Sequence, residues 1–142
     1  MKKKIEFYEI SNLVAACAPL GIFLGRIANF INGELIGKPT NKEWGVVFSE
    51  NDVLRHPSQL YEAFFEGVII FLIIFLFIKN KLHKSINMFA LFLILYGFFR
   101  FSLEFFREPD SHIGYVLFDL SMGQVLSIPM FFLGVIFFRS KT

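Results

Sequence analysis

Arg100, Glu104 and Arg107 stand at i, i+4 and i+7 near the end of an otherwise apolar stretch. That spacing puts them on one helix face, with Tyr96 one turn earlier. Charge inside an apolar segment is costly and needs a reason. One reason is structural: an Arg–Glu pair locks neighbouring helices together. The other is chemical: two guanidiniums oriented by a carboxylate make an anion site. Arginine suits that role because its planar fork binds phosphate bidentately and stays charged. The pattern alone leaves both readings open.

Three further clusters bear on the choice. Gly25–Gly37 gathers Arg26, Asn29, Asn32 and Glu34 within nine residues. Arg26, Asn29 and Gly33 share one helix face, and Gly33 and Gly37 read as helix-end or turn glycines. Gly21, Gly25, Ala28 and Asn32 form a second stripe, small or polar, of the kind that lets helices approach closely. In His56–Glu62, Pro57 and Ser58 mark a helix start. Gln59, Glu62 and Glu66 then face one way, although such residues also serve as hydrated anchors at a membrane interface. In Ser121–Met130, Gln124 and Ser127 can add hydrogen bonds to the same cavity or join helices. Together the clusters describe a polar, Arg-rich cavity among helices, and a phospholipid phosphate matches it.

The elements that carry these residues are membrane helices. Of the 142 residues, 55 % are hydrophobic, 21 are Phe and only 18 % are charged, against about 25 % charged in ordinary domains. Disorder is excluded. A net charge of +2 gives no basic surface for nucleic acid. A single cysteine excludes an intramolecular disulfide framework and CxxC metal sites. Residues 59–79, around an uncharged run at 67–78, make about 20 residues, roughly 30 Å of helix and enough to cross a bilayer. Residues 86–106, 121–138 (with Pro129 inside) and 12–32 (with Pro19 and Arg26) are the other candidates. The expected fold is all-α and polytopic, one membrane domain over 1–142 with four crossings and an outer-side loop at 33–58. Lys2–Lys4, the 79–84 loop with Lys79, Lys81 and Lys84, and the C-terminal Arg139 and Lys141 then fall on one side. The positive-inside rule makes that side, with both termini, cytoplasmic. The Arg face then lies at the depth of the outer-leaflet headgroups. Val14–Cys17 imitates a lipoprotein cleavage box, but Glu6, Glu9, Ser11 and Asn12 interrupt the apolar stretch a signal requires. Cys17 is therefore expected to be a small buried thiol.

Gly25–Gly37 closely resembles the signature of the prolipoprotein diacylglyceryl transferase family, Gly-Arg-x-Gly/Ala-Asn-Phe-x-Asn-x-Glu-x-x-Gly, with every fixed position met. Arg55–Glu62 resembles a second family motif. Tyr96-Gly97 through Arg100, Glu104, Arg107, Pro109 and Asp110 resembles a third, and Met122–Met130 a fourth, all in the family's order. The resemblance runs from about residue 10 onward. It implies a bacterial inner-membrane enzyme of lipoprotein biosynthesis. Such an enzyme moves the diacylglyceryl group of phosphatidylglycerol to the cysteine thiol of a prolipoprotein signal peptide, releasing glycerol phosphate. Its partners would be that lipid, those signal peptides and the surrounding membrane lipids, and it needs no metal or cofactor. Carried over by motif, Arg26 and Arg100 are the phosphate ligands and act with Glu104 in catalysis. Asn29, Gly37 and Arg107 shape and support the site, and Gln59, Tyr61 and Glu62 belong to substrate binding.

The chain departs from the family pattern in one respect. Family members are roughly twice as long, and their N-terminal half carries a His-Gly-Gly motif that is a candidate for activating the thiol. This chain has only His56, His83 and His112, none in that context. The expectation is the C-terminal half of such an enzyme, as a fragment, a mis-called start or one part of a split gene, and inactive alone. The alternative is a non-catalytic membrane protein that binds anionic phospholipid.

Overall fold

The structure, a computed structural model, describes residues 7–49, 53–84, 86–109, 114–117 and 119–139. Lys2, Lys3, Lys4, Asp110, His112 and Lys141 lie outside the described residues.

The first helix, α1 (Phe7–Asn32), starts five residues earlier than the hydropathy indicates. Gly33 ends it at φ +67°, a left-handed position glycine adopts without a Cβ penalty. Next come α2 (Ser58–Glu62), a π-helical segment (Ala63–Ile69) and α3 (Ile70–Lys79), which run as one continuous helix. A one-turn 3₁₀ helix, Leu82–Lys84, leads to α4 (Met88–Leu103). A short antiparallel pair, β1 (Tyr115–Leu117) and β2 (Leu120–Ser121), precedes α5 (Met122–Arg139).

The helices alternate in direction, and side chains tie their ends together. Near the start of α1, Asn12 Oδ1 accepts from Met88 N at 3.0 Å and Phe89 N at 3.3 Å. These amides lack partners in the first turn of α4, so α1 caps α4 in addition to its own Asn87 cap. At the other end, Gln59 Nε2 donates to Glu34 O at 2.7 Å and joins the exit of α1 to the entry of α2.

The molecule is apolar outside and polar inside. Leu24 is 65 % exposed and Ile31 76 %, while Gln59, Glu62, Glu66, Arg100, Glu104 and Ser127 are buried. A helix bundle that turns leucine and phenylalanine outward suits lipid rather than water. Two helices, Glu9–Asn32 and Ser58–Lys79, are long and apolar enough to cross a membrane; α4 and α5 are apolar but shorter. The apolar core of Ala15, Ile70, Ile74, Met88 and Leu91 lies toward one end of the bundle. Arg26 follows Ala15 by eleven residues, about 16 Å along α1, so the charged cluster lies toward the other end.

Three expectations are corrected. Cys17 is exposed, not buried: α1 packs through Ala15, Pro19 and Arg26, and Cys17 points the opposite way. The stripe at Gly21 and Gly25 meets no described atom within 4 Å of an added Cβ. Close approach occurs instead at Gly67, where a Cβ would stand 2.7 Å from Phe23 Cβ, and at Gly97 and Gly134 between α4 and α5. The helix start expected at Pro57 and Ser58 is kept: Pro57 is the cap of α2, and Ser58 Oγ donates to Leu35 O at 3.4 Å. The helix expected over 86–106, α4, ends at Leu103 rather than Phe106, because the chain there pairs with the 36–38 segment. Lys38 N donates to Phe106 O at 2.9 Å, and Glu108 N to Ile36 O at 3.1 Å.

Candidate functional site

The charged cluster is delivered by α1, by α2 with the π-helical segment after it, and by α4. Arg26 lies on the inward face of α1. Glu62 closes α2, and Glu66 follows four residues later in the π-helical segment. The wider π turn, bonded i to i+5, is a form often found at functional sites, and here it keeps both carboxylates facing inward. Arg100 lies in the last turn of α4, and Glu104 is that helix's C-cap.

Glu62 joins the two arginines. Its Oε2 is 2.9 Å from Arg26 Nε, and its Oε1 accepts from Arg100 Nη1 at 2.9 Å. The Glu62 side chain is 1 % exposed, so the Arg100 contact is a charge-assisted hydrogen bond and the Arg26 contact an ion pair, both in a desolvated place. Glu66 stands behind, 3.7 Å from Arg26 Nη2 and 3.7 Å from Arg100 Nη1. On the other edge of the fork, Arg100 Nη2 is 2.7 Å from Glu104 Oε2. Arg100 is thus stretched between carboxylates from two different helices, which fixes its guanidinium plane. A guanidinium has five N–H donors. The hydrogen bond to Glu62 uses one of them on Nη1, and the ion pair with Glu104 holds Nη2.

Ser121 completes the frame. Its Oγ donates to Glu104 Oε1 at 3.0 Å. It also accepts from Gln124 N at 3.3 Å, while Ser121 N donates to Gln124 Oε1 at 3.1 Å. That reciprocal pair is a capping box, the Ser-x-x-Gln start signal of a helix. It locks the entry of α5 against the carboxylate.

Arg26, Tyr96, Arg100, Glu104, Arg107, Ser121, Gly123 and Ser127 are among the residues lining a cavity of about 310 Å³. A second cavity of about 230 Å³, lined by Ile22, Gly25, Arg26, Asn29 and Tyr96, adjoins it across Arg26 and Tyr96. The site can therefore present two mostly buried guanidiniums to one anion in a partly open cavity.

The structure brings together most of the residues singled out from the sequence. Arg26, Arg100, Glu104 and Arg107 line one cavity, Asn29 the adjoining one. Arg107 arrives by a route other than the expected helix face: it lies beyond α4, in an antiparallel bridge with Gly37. Glu62 orients the arginines from behind. Gln59, Tyr61 and Gly37 line neither cavity. Gln59 ties α2 to the end of α1. Tyr61 OH accepts from Trp44 Nε1 at 2.9 Å and lies 3.3 Å from His56 Nδ1. Gly37 permits a close crossing, since a Cβ there would stand 2.1 Å from His56 O. His56 packs edge-on against Tyr61 and Phe106, which makes it a loop anchor. Ser127 lines the cavity, whereas Gln124 serves the cap and lines a neighbouring cavity that shares Glu104 and Ser121.

Two residues of the frame have no assigned role in the sequence reading. Glu66 carried a signal, a carboxylate in a membrane span one turn after another. Ser121 carried one too, in the Ser-x-x-Gln pattern at the head of an apolar run.

A family model described as prolipoprotein diacylglyceryl transferase matches residues 1–139. A relative from Rickettsia akari (strain Hartford), named phosphatidylglycerol–prolipoprotein diacylglyceryl transferase, is 52 % identical over 136 residues, covering 94 % of this chain and 52 % of the relative. One of the same name from Rickettsia felis is 51 % identical over 138 residues, with the same coverage of 94 % and 52 %. The chain spans about half the length of the curated relatives it matches.

Proposed function

The chain belongs to the prolipoprotein diacylglyceryl transferase family, and from that premise we propose that Arg26 and Arg100 hold the phosphate of phosphatidylglycerol during diacylglyceryl transfer. The observation that carries the reading is the Glu62 clip, which fixes both guanidiniums on one cavity wall.

The chemistry explains why two arginines are needed. The thiolate sulfur of the signal-peptide cysteine attacks the glyceryl carbon and forms a C–S bond. The C–O bond to phosphate breaks, and glycerol phosphate leaves with the electron pair. A phosphodiester carries one negative charge and the departing monoester two, so negative charge grows on the phosphate oxygens as the bond breaks. Guanidiniums fixed beforehand bind that growing charge more strongly than the ground state, and this lowers the barrier. Carboxylates behind the arginines keep them from turning away to solvate themselves.

The same reading places the chain in the bacterial inner membrane, with four crossings and both termini cytoplasmic, so that the cavity meets outer-leaflet headgroups. Nothing in the described cavity walls offers a histidine to take the thiol proton: Arg26, Tyr96, Arg100 and Glu104 line it, and His56 is engaged with Tyr61 and Phe106. This chain then supplies the leaving-group half of the reaction, and the partner that activates the thiol comes from the remaining half of the family's length. Signal peptides are its second substrate.

The test is transfer of labelled diacylglycerol from phosphatidylglycerol to a lipobox peptide in vesicles. The chain alone is expected to bind the lipid without turnover. Co-expressed with the N-terminal half of a Rickettsia relative, it is expected to transfer. Turnover by the chain alone, lost on His56→Ala, overturns the half-site reading and makes His56 the base.

A further inference from the structure

We infer that Gly123 is a positioning residue: its missing side chain is the space in which Glu104 sits, and that seat aims Arg100 at the lipid phosphate. The inference rests on the phosphate-site reading above and extends it to the first turn of α5.

A Cβ built on Gly123 would lie 2.8 Å from Cδ, Oε1 and Oε2 of Glu104 alike. The whole carboxylate therefore lies flat against this position. Ordinary contact begins near 3.4 Å, so alanine would make the carboxylate retreat by 3.4 − 2.8, about 0.6 Å. That atom group is the end of a side chain, and moving it costs the fold little. It costs the site more. Glu104 is held on one oxygen by Ser121 Oγ at 3.0 Å and on the other by Arg100 Nη2 at 2.7 Å. A shift of this size stretches one of those bonds or swings the guanidinium with it. Displacements near 1 Å at a site can cost about 100-fold in rate.

Helix propensity points the other way. Alanine is the better helix former, so Gly123→Ala considered as a helix substitution is neutral or stabilising. The two accounts therefore differ in sign. Gly21 provides the contrast within the same chain, because a Cβ there meets no described atom within 4 Å.

The experiment measures retention of phosphatidylglycerol against phosphatidylcholine by the purified full chain in mixed-lipid nanodiscs, with thermal stability followed in parallel. Gly123→Ala is expected to lose about 10-fold in phosphatidylglycerol preference with stability unchanged or raised, and Gly21→Ala to match the wild type. Glu104→Asp withdraws the carboxylate by one methylene and vacates the seat. Adding Gly123→Ala to Glu104→Asp is therefore expected to cost no more than about two-fold further, the coupling that neighbours in contact show. A Gly123→Ala protein that keeps the wild-type preference overturns the inference alone. So does a loss that accompanies lowered stability and is undiminished in the Glu104→Asp background. A wild-type chain with no preference for phosphatidylglycerol overturns the phosphate-site reading itself.

Discussion

Replacing Arg100 with lysine keeps the positive charge and removes the fork. In the native site the guanidinium reaches Glu62 Oε1 through Nη1 at 2.9 Å and Glu104 Oε2 through Nη2 at 2.7 Å. An ammonium is a single point and cannot span both carboxylates while also facing the cavity. With the ammonium drawn to the carboxylates, at least one charge-assisted hydrogen bond to the phosphate is lost, worth about 1.5–3 kcal/mol. At about 1.4 kcal/mol per decade, that is roughly a 10- to 100-fold loss in affinity for the lipid phosphate. Arg100 is nearly buried, so solvent does little to soften the loss. The assay is competitive retention of phosphatidylglycerol by Arg100→Lys and wild-type chains in nanodiscs. If Arg100→Lys retains the lipid as well as the wild type, only charge matters at this position, and the argument from fixed guanidinium geometry fails.

The remaining predictions test separate parts of the frame. Glu62→Gln leaves one acceptor and turns an N–H₂ toward an arginine; breaking a buried pair in this way costs about 3–5 kcal/mol, and both thermal stability and phosphatidylglycerol retention should fall, whereas unchanged values would remove Glu62 from its role as clip. Gly37→Ala puts a Cβ where His56 O lies 2.1 Å away; we expect a stability loss of about 2–3 kcal/mol, measured by thermal unfolding in detergent, and a neutral result would show that the loop crossing can relax. Lys81→Cys should resist an impermeant thiol reagent added outside intact cells and react after permeabilisation; external labelling would reverse the proposed orientation.

The charged centre was legible in the sequence because lipid-facing helices make every internal charge conspicuous. Arg26, Arg100, Glu104 and Arg107 stood out against apolar neighbours, and the i, i+4 pairing of Arg100 with Glu104 is a local rule that the structure keeps at 2.7 Å. Contacts between distant segments were not legible. Nothing local says that Glu62 reaches both Arg26 and Arg100, or that Asn12 caps a helix beginning at Met88. Small residues misled for the same reason. Gly21 and Gly25 form a regular stripe that no described residue packs against, while the glycines that permit close packing, Gly67, Gly97 and Gly134, stand singly. Cys17 was misplaced because a periodicity shows a face without showing which face turns inward. Arg107 was correctly assigned to the cavity by an incorrect route: the helix stops at Leu103, and a backbone pairing with Gly37 carries it there.

The central claim is that one lipid phosphate sits between Arg26 and Arg100, and a distance measurement tests it most directly. With the arginines ¹⁵N-labelled at the guanidinium and the chain reconstituted in phosphatidylglycerol, solid-state dipolar recoupling between ³¹P and ¹⁵N reads their separation. A charge-assisted N–H···O bond to a phosphate oxygen implies a phosphorus–nitrogen distance of about 4 Å. The account predicts dephasing at that distance in the wild type, reduced by Arg26→Lys and again by Arg100→Lys. Absence of ³¹P–¹⁵N coupling at saturating lipid, or coupling that survives both substitutions together, would contradict it.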